Sequence, residues 1–553
     1  MSDLTKVTPP KELSEEDRAV IFRHVFRRLA DHRNTLKLYA IAEYGLSSEP
    51  DEYREKTRDA YVHEVNTWAQ QLAQHTWTAC QEPGGGSCPQ LSPMTDTSVG
   101  DLPRLPRQDL CEKVFNAILF LHVTSHKQYS AHTRHFLSTF APLDEISIAA
   151  TLKDPDRAVN EAEKHAQRAK DEQAEKGRTL RQVGMGLGAV AGGVLIGVTG
   201  GLAAPLVGAG VGTVLSFLGV GGTAAGMLAT GLASSSVVCG ALFGTYGARS
   251  TASMVERHTR DVQDLAILPV RPPKETLAVR ICISGWLTCK EDVVEPWTVF
   301  GGNDTYALQW EVEALRTLSD ALYALIKAQA MQYVKGEIIK RTVLASLTSS
   351  LAPIAWLKIG RIIDNPWMNA KALAVKTGTV LGTLLAQRAF GARPVTLVGY
   401  SLGSLVIFEA LKHLGTLPPS ETAHLVQDVF LFGLPAPSDP ETWSAVRRVV
   451  AGQLVNGYAE DDYILAVLSR ASDVSWSVSG LEPVAVKGVK NVKCEVQGHL
   501  QWRGMIGRCC GECGAEGIIK KEVEAQVQNV GSQIQGETSM NEAEAEKAIE
   551  RGP

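Results

Sequence analysis

The sequence predicts an α/β chain, with a mainly parallel, doubly wound sheet in its C-terminal half and helices before it. Three observations carry this. Short apolar runs recur from Leu277 onward with helical stretches between them, the alternation that builds parallel sheets. The stretch "TLVGYSLGSLVIFEAL" (396–411) passes from an apolar, β-branched run to a helical apolar period through one sharp turn at Ser401. The first 150 residues show apolar positions at helical spacing instead.

The N-terminal region, 1–150, reads as helical. "SEEDRAVIFRHVFRRLADH" begins with Ser14 as N-cap and acidic residues in the first turn. "DLCEKVFNAILFLHVTSHKQY" repeats the helical period. Between them, residues 82–108 are too rich in Pro, Gly and Ser to pack, and read as a flexible loop. His122, His126, His132 and His135 are scattered along an amphipathic stretch, the pattern of core or surface histidines rather than metal ligands. Residues 151–181 are charged and alanine-rich, which suits a solvated helix or a short coiled coil.

From Gln182 to Ala248 the chain runs 67 residues without Asp, Glu, Lys, Arg or His. Such a run reads as membrane-embedded helices of about 20 residues each, with Pro205 as a natural break. Gly184, Gly188 and Gly192 are spaced for close helix packing in lipid. Arg181 and Arg249 flank the segment, so a glycine-rich membrane hairpin with both ends cytosolic is expected.

The α/β region spans 270–510. Its expected strands are 277–285, 305–311, 393–400, 427–435, 452–459 and 489–496. A helix from Val375 to Arg388 precedes the strand that leads to Ser401. The tail, 522–553, is acidic and expected to be disordered.

Composition bounds the function. With 55 basic residues against 60 acidic ones, nothing points to nucleic acid. The polar N-terminus lacks a signal-peptide core, so the ten cysteines are expected to be reduced thiols. Cys509, Cys510 and Cys513 lack a second ligand pair beyond Cys494 and His499, and read as loop thiols open to acylation rather than a zinc site.

The chemistry is concentrated at Gly399-Tyr400-Ser401-Leu402-Gly403. A serine held on a tight strand-to-helix turn, with glycines two residues to either side, is a nucleophile elbow of the α/β-hydrolase type. A hydroxyl needs a base, and in this arrangement an acid and then a histidine follow the serine in sequence. Only His413, His424 and His499 lie beyond Ser401. His413 sits in the elbow helix and His424 precedes a strand, which leaves His499 directly after the last strand. "NGYAEDDYIL" offers Glu460, Asp461 and Asp462 as the acid; Asp462, just before the apolar "YIL", is preferred, with Asp461 the alternative. For an oxyanion hole the backbone N–H of Leu402 is one donor. The loop after the first strand, "ISGWLT", supplies the other through Trp286, with Leu287 next. No metal or cofactor is implied.

The glycine-rich segment, "ISGWL", "IDNPW" (363–367), "RPVTLVGYSLG" and "NGYAEDDYILA" together resemble the transmembrane and coiled-coil domain-containing α/β-hydrolase-like proteins of eukaryotes, over roughly residues 180 to 505. The resemblance implies an integral membrane protein whose hydrolase domain faces the cytosol. It places Ser401 at the elbow, Asp462 at the acid of an N-D-Y/W-like motif and His499 in its "GH", while Asp461 stands where a neutral residue is the pattern. The expected function is a membrane-anchored serine hydrolase of esterase or lipase type, acting on acyl esters beside membrane lipids. The competing expectation is a trafficking or scaffold protein that uses the hydrolase fold as a binding platform.

Overall fold

The computed structural model describes residues 12–154, 235–243, 262, 264–327, 366–472, 477–496 and 498–538. Two compact units share the chain: Met1–Lys37 with Val62–Gly244, and Leu38–Tyr61 with Thr245–Pro553.

The first unit is helical. Its elements are α1 (Glu15–Leu46) and α2 (Asp51–Ala79), each of which continues into the second unit, then α3 (Gln108–His126), α4 (Ala131–Ser138), α5 (Glu145–Lys153) and α6 (Ser235–Leu242). Ser14 and Asp17 cap α1 reciprocally: Asp17 N–H donates to Ser14 Oγ at 3.0 Å and Ser14 N–H to Asp17 Oδ2 at 3.1 Å. α3 is buried on nearly all sides between Leu110 and Val123. Residues 82–107 carry no helix or strand, but they are not the loose loop their composition suggests. Arg33 donates to the carbonyls of Leu91 and Ser92 at 3.0 and 2.9 Å, and Arg27 to that of Ser98 at 2.7 Å. Arginines on α1 thus satisfy backbone that has no ladder of its own.

Most of the charge-free segment 182–248, with its expected membrane hairpin, lies outside the described residues. Within it, α6 packs against α5, and Cys239 Sγ donates to the Leu152 carbonyl at 2.8 Å. Among the described residues no helix is long and apolar enough to cross a membrane. The charged stretch from 155 to 181 is likewise outside them.

The second unit is built on seven strands: β1 (Leu265–Pro269), β2 (Val279–Ile283), β3 (Asp304–Trp310), β4 (Val395–Tyr400), β5 (Val426–Phe432), β6 (Leu454–Tyr458) and β7 (Val489–Lys493). Their order is β1-β3-β2-β4-β5-β6-β7, with only β1 antiparallel to its neighbour. β1 is one strand more than the sequence pattern shows. It lies before Leu277, half exposed at the sheet's edge, and its short apolar run shows no alternation and ends at Pro269, a residue that breaks a strand ladder. β2 and β5 are buried along their whole length, which is why they are apolar on both faces except at Arg280 in β2 and at Gln427 and Asp428 in β5.

Among the described residues, the longer helices of this unit are α7 (Val312–Lys327), α8 (Pro366–Ala386), α9 (Leu402–Thr416), α10 (Pro440–Arg448), α11 (Tyr463–Ser472), α12 (Trp502–Glu512) and α13 (Lys520–Thr538). α8 and α9 pack backbone to backbone: a Cβ on Gly378 would stand 2.7 Å from the Val406 carbonyl oxygen. Six tryptophans are fully buried among the described residues of this unit, Trp286 and Trp502 among them.

The tail is corrected in part. Residues 520–538 form α13, in which Val523 and Val527, one turn apart, face the core. Gln526 accepts from Gly507 N–H at 2.9 Å and donates to the Pro296 carbonyl at 3.0 Å. Charge had masked this narrow apolar stripe. Residues 38–61 also belong with the sheet, where Glu43 pairs with Arg448 and Arg447 stacks on Tyr39.

Candidate active site

The register of the parallel strands brings Ile283, Gly399, Phe432 and Gly457 toward one edge of the sheet, where β4 hands over to α9. Ser401 occupies that handover with φ 52° and ψ −128°, a conformation that L residues rarely hold. Its strain is held by neighbours: Ser401 N–H donates to the Phe432 carbonyl at 2.8 Å, and Ser404 Oγ accepts from Phe432 N–H at 3.0 Å. The two flanking glycines are required by contact. A Cβ on Gly399 would meet the Gly403 carbonyl carbon at 2.8 Å, and one on Gly403 would meet the Ile283 carbonyl oxygen at 2.0 Å.

Ser401 Oγ lies 2.6 Å from His499 Nε2, and His499 Nδ1 lies 2.8 Å from Asp462 Oδ2. A carboxylate only accepts, so Nδ1 carries the proton and Nε2 receives the serine O–H. His499 opens a short helical turn after Gly498, whose φ of 113° suits glycine. Asp462 ends the loop after β6, and its Oδ1 caps α11 by accepting from Leu465 N–H at 3.0 Å. All three side chains are fully buried. A hydroxyl, imidazole and carboxylate linked this way can pass a proton from serine to histidine while the carboxylate fixes the imidazole's tautomer.

Sequence reasoning missed Trp502, whose indole N–H donates to Asp462 Oδ2 at 2.9 Å. Its position three residues after His499, at the start of α12, was the available signal. Gly433, at φ 55°, makes room for it, since a Cβ there would sit 2.6 Å from Trp502 Nε1.

The loop after β2 closes the other side. A Cβ on Gly285 would stand 2.1 Å from the Tyr400 carbonyl oxygen, 2.6 Å from Leu402 N and 2.7 Å from Ser401 Cβ. The backbone leading into Trp286 therefore runs directly against the Ser401–Leu402 turn. Trp286 is buried, with Tyr400 O–H donating to its carbonyl at 3.3 Å and the Arg503 guanidinium stacked on its ring at 5.4 Å. Arg503 also pairs with Asp292, which takes Thr288 N–H at 2.7 Å and Thr288 O–H at 2.5 Å. Burial works to raise the Asp292 carboxyl, but the Thr288 hydroxyl, Arg503 and the backbone N–H groups outweigh it and hold it below its usual range.

The remaining candidates lie apart. Asp461 is exposed, and Glu460 pairs with Lys493 at 2.6 Å. His413 sits on α9 beside Thr383 at 3.2 Å. Cys509, Cys510 and Cys513 are not on an open loop. They are buried on and just after α12, and hydrogen bonding to Cys494 together with burial pushes the Cys509 thiol far up. Burial does the same to Cys510, so the expectation of acylatable loop thiols gives way to inert core cysteines. None of the ten cysteines is in a disulfide.

The family described as "Protein of unknown function (DUF726)" matches residues 177–514. The "Uncharacterized membrane protein C6F6.13c" of Schizosaccharomyces pombe is 32% identical over 524 residues, covering 90% of this chain and 87% of that protein. The "Transmembrane and coiled-coil domain-containing protein STS1" of Oryza sativa subsp. japonica is 35% identical over 331 residues, 58% of this chain and 50% of that one. The "Probable lipase MIL1" of Saccharomyces cerevisiae is 33% identical over 320 residues, 56% of this chain and 28% of that one. No solved structure matches the chain.

Proposed function

We propose that this chain, which belongs to the DUF726 family, is a serine hydrolase that cleaves acyl esters through Ser401, His499 and Asp462. One observation carries the reading: Ser401 Oγ stands 2.6 Å from His499 Nε2 on a strained strand-to-helix turn.

In this reading the sheet is of the α/β-hydrolase type. His499 takes the Ser401 proton as Oγ attacks the ester carbonyl, and the alkoxide of the tetrahedral intermediate is met by the N–H groups of Leu402 and Trp286. His499 returns the proton to the departing alcohol, leaving an acyl-serine. Water, deprotonated by the same imidazole, then releases the acid and restores Ser401. Asp462 keeps Nδ1–H oriented and stabilises the transient imidazolium. No metal or cofactor enters.

Acyl esters of lipid type are supported by the relative named a probable lipase and by relatives named as membrane proteins. The charge-free segment 182–248 supports an anchor with the catalytic unit facing the cytosol. Because the three side chains are fully buried, admission of an acyl chain requires covering residues to move. The competing reading, a trafficking or scaffold protein with a hydrolase-like platform, is served by the same fold but gives the strained Ser401–His499 contact no use.

A fluorophosphonate probe decides between them. The full-length chain is expected to be labelled at Ser401 alone, and Ser401→Ala to lose labelling while remaining folded. Absent labelling of the wild type in detergent and in lipid vesicles would leave the scaffold reading standing.

A further inference from the structure

Away from Ser401, three imidazoles converge inside the helical unit. His122 and His126 lie four residues apart on α3 and so share a face. α2 brings His75 against both. Its ring centroid is 5.7 Å from that of His122 and 5.2 Å from that of His126, and the latter two are 4.9 Å apart. Each residue offers one ring nitrogen, and the three nitrogens all lie within 4.8 Å of one another.

Packing alone gives little reason for this trio. His75 Nδ1 is buried and makes no hydrogen bond among the described residues, a deficit that costs on the order of 1–3 kcal/mol.

We propose that His75, His122 and His126 form a binding site for a zinc-class divalent transition metal, held by three imidazole nitrogens with the fourth position left to water. Tetrahedral zinc with Zn–N bonds of about 2.0–2.1 Å needs nitrogens roughly 3.4 Å apart, which small side-chain rotations from the present spacing supply. A carboxylate-free, all-imidazole set excludes calcium and magnesium, which require oxygen ligands. His122 already has a partner that would orient its ring on a metal. Its Nε2 is 3.2 Å from Thr133 Oγ1, which in turn accepts from Trp68 Nε1 at 2.9 Å. With Nδ1 on the metal, Nε2–H donates to Thr133, the kind of partner that fixes ring orientation in metal-bound histidines.

The test uses the full-length chain in detergent, stripped with chelator, desalted and titrated with zinc chloride by calorimetry. One equivalent is expected. Thr133→Val, which removes only the partner that orients His122, should weaken binding by roughly 10–100-fold, and His126→Gln, which removes a ligand, by more than that. His135→Gln, outside the trio, should leave binding unchanged. X-ray absorption on the zinc-loaded wild type counts ligands without relying on any variant, and three imidazoles plus one oxygen are expected. Absence of stoichiometric uptake, fewer than three imidazoles, or equal loss in His135→Gln overturns the site.

Discussion

Trp502 and His499 donate to the same oxygen of Asp462: the indole N–H reaches Oδ2 at 2.9 Å and the imidazole Nδ1 at 2.8 Å. The carboxylate is thus clamped from two sides, with its second oxygen tied to the start of α11. Trp502 touches no substrate in the proposed mechanism and acts by positioning Asp462. Trp502→Phe keeps an aromatic ring beside Phe432 but removes the donor. Its expected effect is a fall in kcat of about 10-fold with KM unchanged, and an equal slowing of fluorophosphonate labelling. A variant that loses stability while kcat stays at the wild-type value would reduce Trp502 to packing.

The two adjacent aspartates give a sharper contrast. Asp462 is buried against His499, whereas Asp461 is exposed. Asp462→Asn should lower kcat about 10³-fold or more, because an amide facing Nδ1 favours the wrong tautomer. Asp461→Asn should stay within about twofold of wild type. Ester hydrolysis by both variants, at matched folded fraction, is the measurement, and a reversed order would reassign the acid.

Much of this was legible in the sequence. Gly399 answers to Gly403 four residues on, Gly403 to Ile283 on the neighbouring β2, and five of the seven strands, β2 to β6, are runs whose burial is total or nearly so. His499 followed from chain order, since only three histidines come after Ser401. What stayed hidden depends on contacts distant in sequence. Trp502 gains its meaning only from Asp462, forty residues earlier. α13 reads as a charged tail until Val523 and Val527 meet the core around α12. His122 and His126 look like ordinary packing residues because the third imidazole, His75, comes from another helix.

Gly285 tests how closely the loop before Trp286 must approach the elbow. Gly285→Ala would place a methyl group 2.1 Å from the Tyr400 carbonyl oxygen and 2.6 Å from Leu402 N, both backbone atoms that cannot rotate away. We expect about 3 kcal/mol of destabilisation and loss of probe labelling. Gly100→Ala, where an added Cβ meets nothing within 4 Å, serves as the control and should leave both unchanged. Thermal melts followed by circular dichroism, with labelling in parallel, check the pair; a Gly285→Ala chain that melts and labels like wild type contradicts the close approach.

Asp292 links this loop to pH. Its carboxyl is held below the ordinary value of 3.8 by the Thr288 hydroxyl, Arg503 and backbone N–H groups, against the opposing effect of burial. A depressed carboxyl binds its proton less readily folded than unfolded, so stability rises with pH across that window. The contribution is complete above about 3.8 and disappears as the pH falls through the lower folded value. Asp292→Asn should therefore cost about 1–3 kcal/mol at neutral pH, where Arg503 loses its partner. The gap between wild type and variant should stay constant from pH 7 to about 5 and narrow below about 4, where the wild-type carboxyl itself takes up a proton. Denaturant unfolding of both chains across that range measures the gap directly. A difference that persists undiminished into strong acid would mean that Asp292 stabilises the loop by shape and hydrogen bonding alone, and not by its charge beside Arg503.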